Sequence, residues 1–230
     1  MTSLQQKIIN STINFVKLSC EGNSSGHDWS HISRVTKLAL YFARKEKADT
    51  FIVELAALLH DVDDWKFNDS SSYKAKNWLL KCNLKEEKIH NICTIIQQVS
   101  FKSTGEKNTV STLEAKIVQD ADRLDAIGAI GIARAFAYGG SRNRELFNPE
   151  IKPAFHYDFH AYKNNQSNTI NHFYEKLLLL KDQINTDTAK EIAISRHDFM
   201  LKFLDQFYSE WNCFDEYIPL KNNRTENTSI

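Results

Sequence analysis

Three short segments of the sequence carry histidine and aspartate in an arrangement that could bind a metal ion. His31 lies at the edge of an apolar stripe, His60 and Asp61 directly follow the apolar run 55–59, and Asp122 occurs much later in the chain. Imidazoles combined with carboxylates suit a divalent transition ion, whereas a set without cysteine argues against a structural zinc site. Such a set would leave positions on the ion open to water and a substrate oxygen. This chemistry favours hydrolysis.

Each of these segments also has an ordinary structural interpretation. A single histidine such as His31 is more typical of a hydrogen-bonded core or capping residue than of a ligand. His60 and Asp61 could simply end a helix, although burying an unpaired carboxylate is costly enough to require a partner or a metal. Asp122 or Asp125 could cap a helix or pair with an arginine of another helix. The residues alone leave these alternatives open.

Helical spacing distinguishes the three acids of the segment 119–125. Asp120 has Lys116 four residues before it and Arg123 three after it, which predicts a solvated ion pair. Asp122 instead has apolar neighbours four residues away on both sides, and Asp125 follows it by three residues on the same face. Asp122 is therefore the candidate ligand in this segment.

The elements that would position these residues are predicted to be helices, because the chain has only seven glycines and three prolines and its apolar residues recur at helical spacing. The pattern predicts an all-α fold. Capping signals begin helices at Ser3 with Gln6, near Asp28, at Asp49 and at Ser111. The predicted helices cover about 3–20, from 28 through at least 42, 51–59, 73–82, 85–99, 112–139, 166–184 and 187–208.

The remaining segments are predicted as connections. The stretches 21–26 and 101–110 are polar breaks between helices. In 141–165 the apolar residues show no regular spacing, so this segment is predicted as an extended loop near the site. Its Arg142, Arg144 and Lys152 could reach a polyphosphate, or could equally form a solvated surface.

Composition limits the partners and the location. The 29 basic and 29 acidic residues give zero net charge, so no overall field attracts a nucleic acid polymer or an anionic membrane surface. The first ten residues are polar, and the longest aliphatic run, 177–180, is far too short to span a bilayer. Four widely spaced cysteines predict reduced, mostly packed thiols. These features predict a cytoplasmic protein without a membrane partner.

The three segments, in this order, resemble the HD superfamily of metal-dependent phosphohydrolases, and their flanking residues resemble one bacterial branch of small HD-domain hydrolases. The matching segments are GHDWSH at 26–31, LLHDVDD at 58–64 and DADRLDAIG at 120–128. The resemblance implies that His31, His60, Asp61 and Asp122 bind the ion. It covers about residues 26–140, within a single HD-type domain predicted over 1–215 that carries additional C-terminal helices and is followed by a polar tail at 216–230.

The resemblance also implies roles around the ion. Asp64 falls where related guanosine tetraphosphate hydrolases place an acid beside the attacking water, which makes it the candidate general base or water-orienting residue. The next residue in those enzymes is a second acid but here is Trp65, which argues against that substrate. Lys66 and Arg34 are candidate phosphate-binding residues, although Arg34 could instead pair with an acid.

The number of bound metal ions distinguishes two groups of enzymes within the superfamily. Members with two ions add histidines from the following helix, but residues 94–100 contain none and His90 comes too early in the sequence. One divalent ion is therefore expected, with Mn²⁺ favoured and Co²⁺, Ni²⁺, Fe²⁺, Zn²⁺ or Mg²⁺ as alternatives. The expected function is hydrolysis of a nucleotide phosphate ester or anhydride, for example a nucleoside triphosphate. A di-iron oxygenase and a non-catalytic helical adaptor with a structural metal are the alternative functions.

Overall fold

Helices form every regular element in the computed structural model, which describes residues 1–20, 28–63, 73–99, 110–154 and 167–213. The predicted all-α fold is confirmed. No helix within these ranges has the length and apolarity that crossing a membrane requires. The helices are α1 (Ser3–Ser19), α2 (Trp29–Lys45), α3 (Thr50–Leu59), α4 (Lys74–Lys81), α5 (Glu86–Val99), α6 (Leu113–Asp125), α7 (Gly128–Ser141), α8 (Thr169–Glu175), a 3₁₀ helix (Leu177–Gln183) and α9 (Asp187–Trp211).

The predicted starts of α1 to α6 and of α9 agree with the structure to within one residue, whereas the helix predicted from 166 begins at Thr169. Asp28 and Asp49 cap α2 and α3 by accepting backbone N–H bonds, as expected from the sequence. The caps of α1 and α6 are Thr2 and Thr112 rather than Ser3 and Ser111. A one-residue shift is reasonable because neighbouring Ser and Thr residues make equally good caps, and the backbone geometry decides between them.

The long helix predicted across 112–139 is wrong, because the chain breaks between α6 and α7. Ile127 is extended, with φ −125° and ψ 167°, and Gly128 has a φ of +75° that favours glycine. A Cβ at Gly128 would lie 2.9 Å from Cγ of Arg196, so this close approach also requires glycine. The helical spacing of apolar residues continues through the break, which is why periodicity alone does not reveal it.

The C-terminal segments also differ in detail from the prediction. The helix predicted over 166–184 consists of α8 and the separate 3₁₀ helix, whereas the helix predicted over 187–208 is present and continues to Trp211. Residues 142–154 contain no helix, and the rest of the predicted 141–165 loop lies outside the described residues, as do 21–26 and most of 101–110. The four cysteines are free thiols, and only Cys213 is exposed.

Helix α3 lies at the centre of the fold. Nine of its ten residues are buried, and α1, α2, α5 and α6 pack around it. A helix that is apolar on all sides is stable only where neighbours cover every face, so the run 51–59 has to be central. Its C-terminus therefore delivers His60 and Asp61 into the interior. This position follows from the apolar sequence that precedes them.

Asp120 corrects the sequence expectation of a solvated ion pair. Its side chain is fully buried and accepts hydrogen bonds from the backbone N–H groups of Asn185 and Thr186, at 2.8 and 2.7 Å, and from their side chains, at 2.7 and 2.8 Å. Burial raises the pKa of Asp120, and these hydrogen bonds oppose that shift. Asp120 therefore ties α6 to the N-terminus of α9.

Replacement of Asp120 by alanine is expected to lower the free energy of unfolding by about 2 to 4 kcal/mol, because several buried donors would lose their acceptor. Urea denaturation of the purified variant measures this. Asp182→Ala is the control, since this carboxylate is 74% exposed and its ion pair with Lys181 should contribute less than about 1 kcal/mol. Equal midpoints for the two variants would contradict the role given to Asp120.

Candidate metal centre

Three helix ends bring the four predicted metal ligands together. His31 lies in the first turn of α2, whose N-cap Asp28 accepts the backbone N–H of His31 at 2.8 Å. His60 is the C-cap of α3, Asp61 follows it, and Asp122 lies in the last turn of α6. Helix α2 packs against both α3 and α6, so these separate parts of the chain meet at one point.

The distances between the ligand atoms suit a single ion. Asp61 Oδ2 lies 3.3 Å from His31 Nε2 and 3.4 Å from His60 Nε2. Asp122 Oδ1 lies 3.5 and 3.8 Å from the same two nitrogen atoms, and the ligand atoms of His31, His60 and Asp122 all lie within 4.8 Å of one another. Bonds of about 2.1 Å would place neighbouring ligand atoms roughly 3 Å apart and opposite ones about 4.2 Å apart. The observed cluster needs little adjustment to reach this geometry, and ion binding by these four residues stays a prediction.

The two imidazole rings are oriented for metal binding. Nδ1 of His60 donates to the carbonyl oxygen of Ala57 at 2.8 Å, and this assigns the Nδ1 proton because a carbonyl can only accept. Nε2 of His60 is buried with no hydrogen-bond partner among the described residues. His31 has the same orientation, with Nδ1 2.7 Å from Asp125 Oδ2. Each ring therefore directs Nε2 into the cluster, which is the arrangement that a divalent ion fits.

Access to the cluster is from the side of the carboxylates. The side chains of His31 and His60 are 1% and 3% exposed, whereas those of Asp61 and Asp122 are 13% and 33% exposed. Buried imidazoles form the floor of the site and the aspartates form its open edge. Among the described residues, the cluster is therefore most accessible beside Asp122.

Asp125 connects the cluster to two arginines. Its carboxylate accepts from Arg34 Nε at 2.7 Å and Nη2 at 3.0 Å, and from Arg134 Nη1 at 2.5 Å. Burial would raise the pKa of Asp125, but the hydrogen bonds from His31 and Arg34 hold it well below its ordinary value. Burial lowers the pKa of His31, yet the hydrogen bonds to Asp125 and Asp61 outweigh this and raise it to about 9. These hydrogen bonds therefore favour the protonated imidazole of His31 when no ion is bound.

The other predicted site residues are only partly located. Arg34 pairs with Asp125, the alternative that the sequence left open, and Asp64 and Lys66 lie outside the described residues. The guanidinium groups of Arg142 and Arg144 lie over the ring of Tyr138, at 5.5 and 5.7 Å. Lys152 Nζ donates to Pro149 O at 3.2 Å. None of the contacts described for these three cations reaches the cluster, and His90 is exposed on α5.

Sequence reasoning missed Arg134. On a continuous helix, this residue would lie nine positions and about 13 Å beyond Asp125. The break at Ile127 and Gly128 redirects α7 so that Arg134 returns to the Asp125 carboxylate. The one available signal was Gly128 itself, since a glycine after an apolar residue is compatible with a helix end.

Comparison with known proteins identifies the class. The HD domain family model matches residues 28–127. The chain is 46% identical over 188 residues to YpgQ of Bacillus subtilis, an alignment that covers 80% of this chain and 83% of YpgQ. The chain therefore belongs to the HD superfamily of hydrolases.

Solved structures agree with this assignment. A Lactobacillus plantarum protein is 37% identical with a TM-score of 0.82 and covers 93% of this chain and 99% of its own. An HD-superfamily hydrolase of Bacillus thuringiensis is 44% identical with a TM-score of 0.72, over 90% of this chain and 98% of its own. YpgQ in complex with ADP has a TM-score of 0.73, with 38% identity over 90% and 96% of the two chains.

His60→Ala is expected to weaken Mn²⁺ binding by more than about 100-fold, because removing a ligand costs more than removing a residue that only orients one. Calorimetric titration with Mn²⁺ measures the dissociation constant. His90→Ala is the matched control, since His90 is exposed on α5 and should leave the constant unchanged. Tight Mn²⁺ binding by the His60 variant would remove this residue from the ligand set.

Proposed function

We propose that the protein is a metal-dependent phosphohydrolase that cleaves a phosphate ester or anhydride of a nucleotide. The favoured reaction is the hydrolysis of a nucleoside triphosphate to a nucleoside monophosphate and pyrophosphate. The observation that carries the proposal is the meeting of two buried imidazole Nε2 atoms with the carboxylates of Asp61 and Asp122 at 3.3 to 3.8 Å. Membership of the HD superfamily agrees with hydrolysis.

In this proposal one divalent ion, with Mn²⁺ favoured, is held by His31, His60, Asp61 and Asp122. When bound, the ion supplies polarisation of a phosphoryl oxygen and lowers the pKa of a water molecule toward neutrality. A single ion is favoured because His31, His60 and Asp122 form the one cluster of possible metal ligands found among the described residues, and Asp61 lies beside it. The exposed position of His90 on α5 also supports a single metal ion.

The charge around the cluster favours an anionic substrate. A divalent cation would balance the two carboxylates of Asp61 and Asp122, whereas Arg34 and Arg134 together carry one positive charge more than Asp125 neutralises. The occupied site would therefore be positive, although the whole chain has zero net charge. Because this attraction is local, it acts on a phosphate group that enters the site rather than on a distant polymer.

The residues proposed to act on the substrate come from α2 and from the segment after Asp61. Asp64 would take or orient the proton of the attacking water, and Lys66 would bind a phosphate oxygen. Arg34 would contribute the part of its guanidinium group that Asp125 leaves accessible, since its side chain is 35% exposed. Asp63, directly before Asp64, accepts from the backbone N–H groups of Lys74 and Ala75, at 2.8 and 3.1 Å. This contact anchors the start of the segment to α4.

A nucleotide is the proposed substrate because YpgQ, a relative of the same fold and similar length, was solved in complex with ADP. The test is a panel of nucleoside mono-, di- and triphosphates with Mn²⁺, Co²⁺, Ni²⁺ or Mg²⁺. Phosphate and pyrophosphate are quantified separately. Metal-dependent release of pyrophosphate from a triphosphate is expected. Tight binding of an ion without hydrolysis of any nucleotide would contradict the proposal and favour a structural role for the metal.

Asp64→Asn is expected to retain the ion and to lower turnover by about 10² to 10⁴, the usual contribution of a positioned acid or base. Metal content and steady-state kinetics on the best substrate of the panel measure the two quantities. Asp198→Asn, an exposed carboxylate on α9, is the control and should leave both unchanged. If turnover of the Asp64 variant equals that of the parent, Asp64 takes no part in the mechanism.

A further inference from the structure

The carboxylate of Asp125 is saturated by the groups around it. It is 2% exposed, and four nitrogen atoms contact its two oxygen atoms within 3.0 Å. Oδ2 receives His31 Nδ1, Arg34 Nη2 and Arg134 Nη1, and Oδ1 receives Arg34 Nε. With this many donors, Asp125 has little capacity left to bind an ion directly.

The position of Asp125 on α6 relates it to the proposed ligand on the same helix. Asp122 and Asp125 are three residues apart, so they share one face of α6. Asp122 Oδ1 lies 3.5 Å from Nε2 of His31, and Asp125 Oδ2 lies 2.7 Å from Nδ1 of the same ring. One turn of α6 therefore contacts both nitrogen atoms of a single imidazole, one through each carboxylate.

The two arginines come from different helices and fix Asp125 from two sides. Arg34 lies three residues after His31 on α2. The hydrogen bonds that His31 and Arg34 make with Asp125 therefore join the first turns of α2 to the end of α6. Arg134 reaches the same carboxylate from α7. Rotation of Asp125 away from His31 would break charge-assisted hydrogen bonds to both arginines.

We propose that Asp125 is a positioning residue of the metal centre, which holds the ring of His31 so that Nε2 faces the ion, and that Arg34 and Arg134 hold Asp125 in that orientation. This inference rests on the metal-dependent function proposed above. A carboxylate that accepts a hydrogen bond from the distal ring N–H of a ligating histidine sets the tautomer and ring orientation of that histidine and increases its basicity. Loss of Asp125 should therefore weaken metal binding although Asp125 does not touch the ion.

The test is Co²⁺ binding to the full chain with Asp125→Asn, followed by competition titration and by the visible absorption of the bound ion. The dissociation constant is expected to rise about 10- to 100-fold, and the absorption bands are expected to change. Asp120→Asn is the matched control, because Asp120 is also a buried carboxylate of α6 but bonds only to Asn185 and Thr186 among the described residues. The Asp120→Asn variant should be less stable than the parent protein but should keep its Co²⁺ dissociation constant and absorption spectrum.

A second measurement does not depend on whether the Asp125 variant folds. In the ¹⁵N-labelled parent protein loaded with diamagnetic Zn²⁺, the ring nitrogen signals of His31 should show a protonated Nδ1 and a metal-bound Nε2. An Asp125→Asn protein with the parent affinity and spectrum would overturn the inference, and so would an unprotonated Nδ1 in the labelled parent. A parent chain that binds Co²⁺ but hydrolyses no nucleotide would contradict the proposed function alone, since the contrast between the two variants would still decide the role of Asp125.

Discussion

The arrangement of the site depends on the burial of two imidazole rings beside carboxylates. Removing these groups from water is costly unless every polar atom has a partner. Ala57 and Asp125 provide that partner for Nδ1 of His60 and His31, and Asp61 and Asp122 lie against the two Nε2 atoms. The same contacts leave two imidazole nitrogen atoms facing two carboxylates, which is the arrangement proposed above to bind the ion. The packing that stabilises this part of the fold therefore also arranges the proposed ligands.

Helix α6 is fixed on the side away from the cluster by buried polar contacts with α9. Asp120 binds the N-terminus of α9, and Arg196 of α9 donates to the carbonyl oxygen of Leu124. The side chain of Arg196 also packs against Gly128 at the start of α7. These contacts hold α6 and the start of α7 against α9. Helix α9 thus stabilises the packing of α6, and none of its described residues is among the proposed ligands.

The proposed metal site and the proposed phosphate site share one residue, Asp125. Asp125 contacts a proposed metal ligand, His31, and the arginines that make the surroundings positive. A change at either arginine would therefore act on the ion through Asp125 as well as on an incoming anion. The HD superfamily relatives have the same overall fold, with TM-scores from 0.72 to 0.82 for the structures compared above.

The sequence by itself determined the fold class and most helix starts, because these depend on local signals, and its resemblance to the HD superfamily supplied the candidate ligands. Asp28 and Asp49 cap helices through bonds to residues two or three positions away, and the apolar run before His60 requires burial wherever it packs. The order of His31, His60, Asp61 and Asp122 is likewise readable along the chain. Each of these features needs only a few neighbouring residues.

Only the tertiary structure decided what depends on residues far apart in the chain. Periodicity predicted a solvated Asp120, but partners 65 and 66 residues later make it a buried anchor. The break before Gly128 reflects packing against Arg196, and it brings Arg134 to Asp125 across a turn that apolar spacing does not show. Asp125, on α6, acquires its four donor nitrogen atoms from two other helices, α2 and α7. Such convergence is a property of packing, because no local propensity specifies which distant side chain will reach a buried carboxylate.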